Sequence, residues 1–152
     1  MKITIVAVGK AKRGPEQALF DTYRKRLTWQ LKLVEVEEKR PLSAAERMAR
    51  EADLIRREVP DDIPMVALDE RGENLSSRKI AEHLGKWQDT GRGNIALVIG
   101  GADGLDQSLR ERADLLIAFG KATWPHMMVR AMLAEQIYRA QQILAGHPYH
   151  RD

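Results

Sequence analysis

The side chains best able to do chemistry gather in the last third of the chain. Residues 98–152 hold three of the four histidines, two of the three tyrosines and the adjacent glycines Gly100 and Gly101. A strand-like run there ends in Gly100-Gly101-Ala102-Asp103-Gly104, Thr123-Trp124-Pro125-His126 follows, and the chain closes with His147-Pro148-Tyr149-His150-Arg151. Glycines permit positive φ and close approach of backbone to a flat or polar ligand. The spacing is not G-x-G-x-x-G and no glycine is followed by K-[ST], so neither a dinucleotide fingerprint nor a Walker loop is present. A tight strand-to-helix turn and a ligand loop fit these glycines equally well.

A tail with two histidines, a tyrosine and an arginine has little core to fill, and termini lie loose unless docked. Its spacing is not that of a helical pair of metal ligands and no acidic cluster completes a set, so no metal site is expected. Stacking on a base and contacting phosphate suit aromatic, imidazole and guanidinium groups together. Between loop and tail, Val129, Leu133, Ile137, Ala140 and Leu144 recur at helical spacing, with Arg130, Glu135, Tyr138 and Arg139 around them. Glu135 and Arg139 stand at i, i+4, which as a surface pair contributes roughly a few tenths of a kcal/mol. Met127, Met128 and Met132 widen the apolar surface beyond one stripe, which points to a partner helix such as a second copy of the chain.

Alternating strand and helix patterns must position these residues. Residues 3–8 form a continuous apolar run of the kind found in buried parallel strands. Pro15 opens a helix with Leu19, Phe20, Tyr23 and Leu27 on one face, among Lys10, Lys12, Arg13, Arg24, Lys25 and Arg26, which read first as an ordinary solvated face. A strand over 33–36 is followed by the capping-box signature Ser43-Ala44-Ala45-Glu46 and a charged helix to about Glu58. Residues 65–69 read as the third strand, the Gly72-Glu73-Asn74 region as loop, Ile80, Leu84 and Trp87 as a helical stripe, 95–99 as the fourth strand and 115–119 as the fifth; Ala145-Gly146 ends the last helix. The layout predicts an α/β fold with a largely parallel sheet flanked by helices. Ligands in such sheets bind beyond the carboxyl ends of strands, which singles out the loops after Leu68, Ile99 and Phe119.

Length and composition bound the rest. The 152 residues suit one domain, 1–152, large enough to bury about two thirds of its unfolded surface. A net charge of +3 from 25 Lys+Arg and 22 Asp+Glu is compatible with a polyanionic partner without demonstrating one. The lack of cysteine excludes disulfides and thiolate metal sites and suits a cytoplasmic protein. Neither a secretory core nor a membrane-length apolar run is present.

The ordered motifs narrow the reading further. Ile-Gly-Gly-x-x-Gly-Leu at 99–105, Thr-x-Pro-His-x-x-x-Arg at 123–130, Glu-Gln-x-Tyr-Arg-Ala at 135–140 and the terminal His-Pro-Tyr-His-Arg resemble the ribosomal RNA large subunit methyltransferase H family. Ile-Val-Ala-Val-Gly-Lys at 5–10 and Ala-Leu-Asp-Glu-Arg-Gly at 67–72 extend the likeness over essentially the whole chain. The resemblance implies a SPOUT-class homodimer with a C-terminal trefoil knot. It implies an enzyme that uses S-adenosyl-L-methionine to methylate N3 of a pseudouridine in 23S rRNA of the assembled ribosome.

Carried over by position, the resemblance assigns the cofactor to Leu68, Gly100, Gly101, Gly120, Lys121, Ala122, Thr123, Trp124 and Pro125. Ala102-Asp103 and Trp124 depart from what many relatives carry, and Trp124 leaves the shape of the adenine pocket open. His150 is the first candidate base for the imide proton, Glu135 the second and solvent the third. Arg139 and Tyr149 complete the catalytic set, while His147, Arg151 and Arg130 are expected to bind substrate, with a structural role also open for Arg130 and His126. In a dimer, the tail of one subunit can complete the site of the other. Two other classes stand beside this one: a noncatalytic ribosome-associated RNA-binding dimer, and a nucleotide-binding α/β oxidoreductase, which would need a phosphate loop absent here.

Overall fold

The computed structural model describes residues 1–151. Its five strands are β1 (Lys2–Val8), β2 (Gln30–Val36), β3 (Met65–Glu73), β4 (Asn94–Ile99) and β5 (Leu115–Ile117). They form one sheet in the order β2-β1-β4-β3-β5, with every pair parallel, as the alternating pattern predicts. The helices are α1 (Pro15–Arg26), α2 (Ala44–Glu58), α3 (Ser77–Asp89), α4 (Gln107–Arg112) and α5 (His126–Leu144).

Both faces of the sheet are covered because the central strands are apolar on both sides. Ile3, Ile5 and Ala7 of β1 point toward Phe20 of α1, Ala81 and Leu84 of α3, and Leu133 and Ile137 of α5. Val6 and Val8 point the other way, to Ala52 and Ile55 of α2 and Leu109 of α4. Ser43 caps α2 by accepting the Glu46 N–H at 3.2 Å, as its capping-box signature requires.

Several boundaries differ from the sequence expectation. The second strand begins at Gln30, three residues earlier than its alternation shows, because an edge strand leaves one side open to polar residues. β5 stops at Ile117, and α4 is an additional short helix. Leu19 is exposed instead of sharing the buried face of α1, and Leu144 is exposed at the end of the α5 stripe.

The region around Gly72 is strand, not loop: Leu68 and Glu73 both register against Ile117, so residues 69–72 bulge out between them. A Cβ on Gly72 would stand 2.4 Å from the Ile117 carbonyl carbon, which leaves room only for glycine at this crossing. The bulge pushes Asp69, Glu70 and Arg71 to the carboxyl end of the sheet.

Candidate functional site

Three strand ends open onto one cleft of about 330 Å³. The β3 bulge contributes Leu68 to Arg71, the glycine loop after β4 contributes Gly100 to Leu105, and the loop after β5 contributes Gly120 to Trp124; His126 and Val129 of α5 close the wall. All three loops were singled out from strand ends in the sequence, and the sheet brings them together.

The loops are held by specific bonds. In the glycine loop the Gly104 N–H donates to the Gly101 carbonyl at 3.0 Å, and a Cβ on Gly100 would stand 2.9 Å from the Gly104 carbonyl carbon. The turn is therefore closed too tightly for a side chain at Gly100. After β5, Gly120 takes φ +84, its N–H donates to Asn74 Oδ1 at 2.8 Å, and Trp124 Nε1 donates to the Phe119 carbonyl at 2.8 Å. The indole thus clips the 119–124 loop while remaining partly exposed at the rim. Asn74 had no signal in the sequence, since a lone asparagine in a Gly72-Glu73-Asn74 stretch reads only as turn.

Of the residues expected to hold the cofactor, Leu68, Gly100, Gly101, Gly120, Lys121, Ala122, Thr123 and Trp124 line this cleft, whereas Pro125 is outside its wall and precedes α5, where its carbonyl accepts the Val129 N–H. The cleft offers apolar walls from Leu68, Ile117, Phe119 and Val129 and bare backbone at the glycines, while its carboxylates are already paired, Asp69 and Glu70 with Arg71 and Asp103 with Arg47.

A second cluster forms where the tail folds back on α5. Glu135 Oε1 accepts from Arg139 Nε at 2.9 Å and from the Tyr149 hydroxyl at 3.1 Å, and Oε2 accepts from Gln136 Nε2 at 2.8 Å. Tyr149 packs edge-on against Tyr138 at 4.8 Å, with the Arg139 guanidinium 4.9 Å from its ring centre. Arg139 also donates to His150 Nδ1 at 3.2 Å; arginine has no acceptor, so this nitrogen carries the lone pair. His147 Nδ1 accepts the Tyr149 N–H at 3.2 Å, and Arg151 is exposed.

Burial, then a hydrogen bond with Tyr23 and the Glu135 charge, raises the Tyr149 phenol well above its ordinary value, so it stays protonated at neutral pH. The Glu135 hydrogen bond raises Arg139 in turn. His150, Glu135, Arg139 and Tyr149 are therefore adjacent. Tyr23 of α1 supports them, a partner the sequence hid inside an ordinary amphipathic face.

Arg130 corrects the substrate-binding expectation. It is 2% exposed, donating to the Val8 carbonyl at 3.0 Å, the Gly9 carbonyl at 2.7 Å and Glu35 Oε1 at 2.6 Å. Glu35 also accepts the Ala11 N–H at 2.6 Å. A phosphate cannot reach this guanidinium without displacing those partners, so Arg130 ties α5 to the end of β1.

Among the described residues, the cleft wall and the tail cluster share no side chain. Val129 is the last α5 residue in the cleft wall, and Glu135 follows six positions later, roughly 9 Å along the helix axis. Arg139 lies a further turn away.

Residues 1–150 match the family model described as predicted SPOUT methyltransferase. The chain is 57% identical over 151 residues to the ribosomal RNA large subunit methyltransferase H of Rhodospirillum centenum, covering 99% of both chains. It is 54% identical over 151 residues to the protein of the same name from Paramagnetospirillum magneticum, again covering 99% of each. Among solved structures it is similar to a probable methylase family protein of Haemophilus influenzae Rd KW20, with a TM-score of 0.62 and 15% identity over 99% of this chain and 70% of that one. The last likeness bears on the fold alone.

Proposed function

We propose that this chain, which belongs to the ribosomal RNA large subunit methyltransferase H family of SPOUT methyltransferases, transfers a methyl group from S-adenosylmethionine to N3 of a pseudouridine in 23S rRNA of the assembled ribosome. The observation that carries the reading is the convergence of three strand-end loops on one cleft lined by apolar side chains and by the backbone of Gly100, Gly101, Gly104 and Gly120.

When bound, the cofactor's sulfonium supplies a methyl group already activated for in-line transfer. The chain's task is then alignment and exclusion of water. Leu68, Ile117 and Phe119 offer apolar walls for the adenine, and the backbone at Gly101 and Gly120 lies open to polar atoms. Tyr149, Arg139 and His147 hold the target nucleotide, while Arg151 meets phosphate.

His150 takes the imide proton. As placed, its Nδ1 lone pair faces Arg139, so the imidazole must exchange that guanidinium for substrate before it accepts a proton. Glu135 suits a different task, because both of its oxygens already accept hydrogen bonds. It fixes Arg139 and Tyr149.

The distance between cleft and tail cluster supports a homodimer in which one subunit's tail completes its partner's site. Met127, Met128 and Met132 beside Trp124 supply the apolar contact. Assembled ribosomes are the substrate because a net charge of +3 holds a loose RNA strand weakly.

The deciding experiment supplies labelled S-adenosylmethionine with intact ribosomes or free 23S rRNA and maps the label by mass spectrometry. Methylation of a pseudouridine at N3, much faster on ribosomes, is expected. Absence of transfer, or equal rates on free rRNA, overturns the enzymatic or the ribosomal part respectively.

A further inference from the structure

Glu51 of α2 lies behind the glycine loop in a position that packing does not explain. It is 6% exposed, and its Oε2 has no hydrogen-bond partner. Its two carboxyl oxygens lie 2.8 and 2.9 Å from the point where a Cβ on Gly101 would stand. One turn earlier on the same helix face, Arg47 donates to Asp103 at 2.9 Å. Two α2 side chains thus meet the loop from behind, one through an ion pair and the other through an unpartnered carboxyl.

A buried acceptor left unpaired is costly, and native structures rarely keep one without a use. Burial, followed by the Asp103 charge, pushes Glu51 above the usual carboxylate range, so the site penalises the charged form. The surrounding packing is apolar: Val8, Ala52, Ile55 and Leu105 belong to the core layer on this side of the sheet. An unbranched apolar chain would fill the same space at lower cost.

We infer that Glu51 is a positioning residue for the cofactor, its unpartnered oxygen being the acceptor for a backbone N–H of residues 101–103 when the glycine loop closes on S-adenosylmethionine. The inference rests on the reading of the cleft as the cofactor site. Glycine at 101 belongs to the same device, because a side chain there would displace the carboxyl from the backbone it serves. The same geometry allows Arg47 to hold the far side of the loop at Asp103, so that α2 sets the loop's height above the sheet.

The test compares wild type with Glu51→Met, which keeps length and volume but removes the acceptor, and Glu51→Gln, which keeps a carbonyl acceptor. Binding of S-adenosylmethionine and S-adenosylhomocysteine is measured by calorimetry, and thermal unfolding of the free proteins in parallel. Loss of one hydrogen bond that forms only in the complex should weaken Glu51→Met about tenfold. Its free-state melting temperature should equal or exceed that of wild type, and Glu51→Gln should bind close to wild type. Unchanged affinity in Glu51→Met overturns the inference and leaves the cofactor site standing. Melting temperature and affinity lost together, without rescue by glutamine, make Glu51 a structural acid and also overturn it. No binding by wild type removes the cofactor reading and the inference with it.

Discussion

Glu135 and Arg139 are joined across one turn of α5, with Arg139 Nε donating to Glu135 Oε1 at 2.9 Å while the same oxygen accepts the Tyr149 hydroxyl at 3.1 Å. One carboxylate oxygen therefore sets both the guanidinium and the phenol. In Glu135→Gln the pairing charge is lost and an amide can face only one of them with its carbonyl. Methyl transfer should fall roughly a hundredfold, the scale of a misplaced positioning group. S-adenosylmethionine affinity should stay near wild type, since Glu135 is outside the cleft wall. Single-turnover rates beside calorimetry check both, and an equal loss in both would place Glu135 in cofactor binding instead.

Gly100→Ala tests the shape of the glycine loop. The new Cβ would stand 2.9 Å from the Gly104 carbonyl carbon and oxygen and 3.0 Å from Leu105 Cγ. Two of these are backbone atoms, so the loop itself must shift. Overpacking of this kind costs about 1–3 kcal/mol, equivalent to about fivefold to 150-fold in Kd where the strain opposes binding. Cofactor titration measures it, and circular dichroism should show the sheet intact.

Arg130→Met should lower stability without touching the cleft directly. The guanidinium serves the Val8 and Gly9 carbonyls and Glu35, and its removal leaves these acceptors short of a donor. Breaking one side of a buried pair costs about 3–5 kcal/mol, and Glu35's partial exposure places this case toward the lower end. Urea unfolding followed by fluorescence gives the value; a loss below about 1 kcal/mol, the range of exposed pairs, would contradict the buried role.

Much of the fold was legible because its signals are periodic. The apolar run of β1, the Ser43 cap and the long α5 stripe are each read by one rule and reappear in the structure. Elements defined by partners were hidden. The β3 bulge depends on the Ile117 backbone, and α4, at six residues, is too short to show a period. In the site, glycines and strand ends announced the three loops. Glu51 did not announce itself, since a glutamate in a highly charged helix reads as solvated until the fold buries it. Arg130, expected to bind substrate with a structural role also open, is likewise a charged residue whose burial only the fold reveals. The trefoil knot rests on the resemblance alone, since no residue pattern encodes threading.

The pH dependence of stability follows from Glu51. Its folded-state pKa is raised by burial and by Asp103, against a lowering by Arg47, with Glu38 adding to the raise. A raised carboxyl favours the folded state most below its unfolded value, and that advantage fades as pH climbs through the folded value. Relative to Glu51→Gln, which does not titrate, wild type should therefore lose stability as pH rises from acid toward neutral. Melting temperatures of both proteins across this window check the sign. A difference that stays flat would mean that Glu51 is charged at no cost.

The separation of tail and cleft on α5 leads to a prediction about subunits. Met128 and Trp124 are exposed apolar side chains beside the cleft, so Met128→Glu should weaken self-association, read by light scattering across concentration. Within an intact dimer, deletion of residues 147–152 removes His147, Tyr149, His150 and Arg151 but none of the cleft loops. The truncated protein should bind S-adenosylmethionine normally and fail to methylate ribosomes. Gly101→Val, whose Cβ would stand 2.8 Å from Glu51 Oε2 and 3.1 Å from Val8 Cγ1, should bind no cofactor and fail for the opposite reason, with its tail whole and its cleft distorted. If one subunit's tail serves its partner's cleft, mixing the two inactive proteins under exchange conditions places an intact tail beside an intact cleft in each mixed dimer. Activity should then return to at most about half the wild-type level per dimer, one site in two being competent in an isologous pair. A tail that serves its own cleft leaves every mixed site defective, and the mixture would stay as inactive as its components.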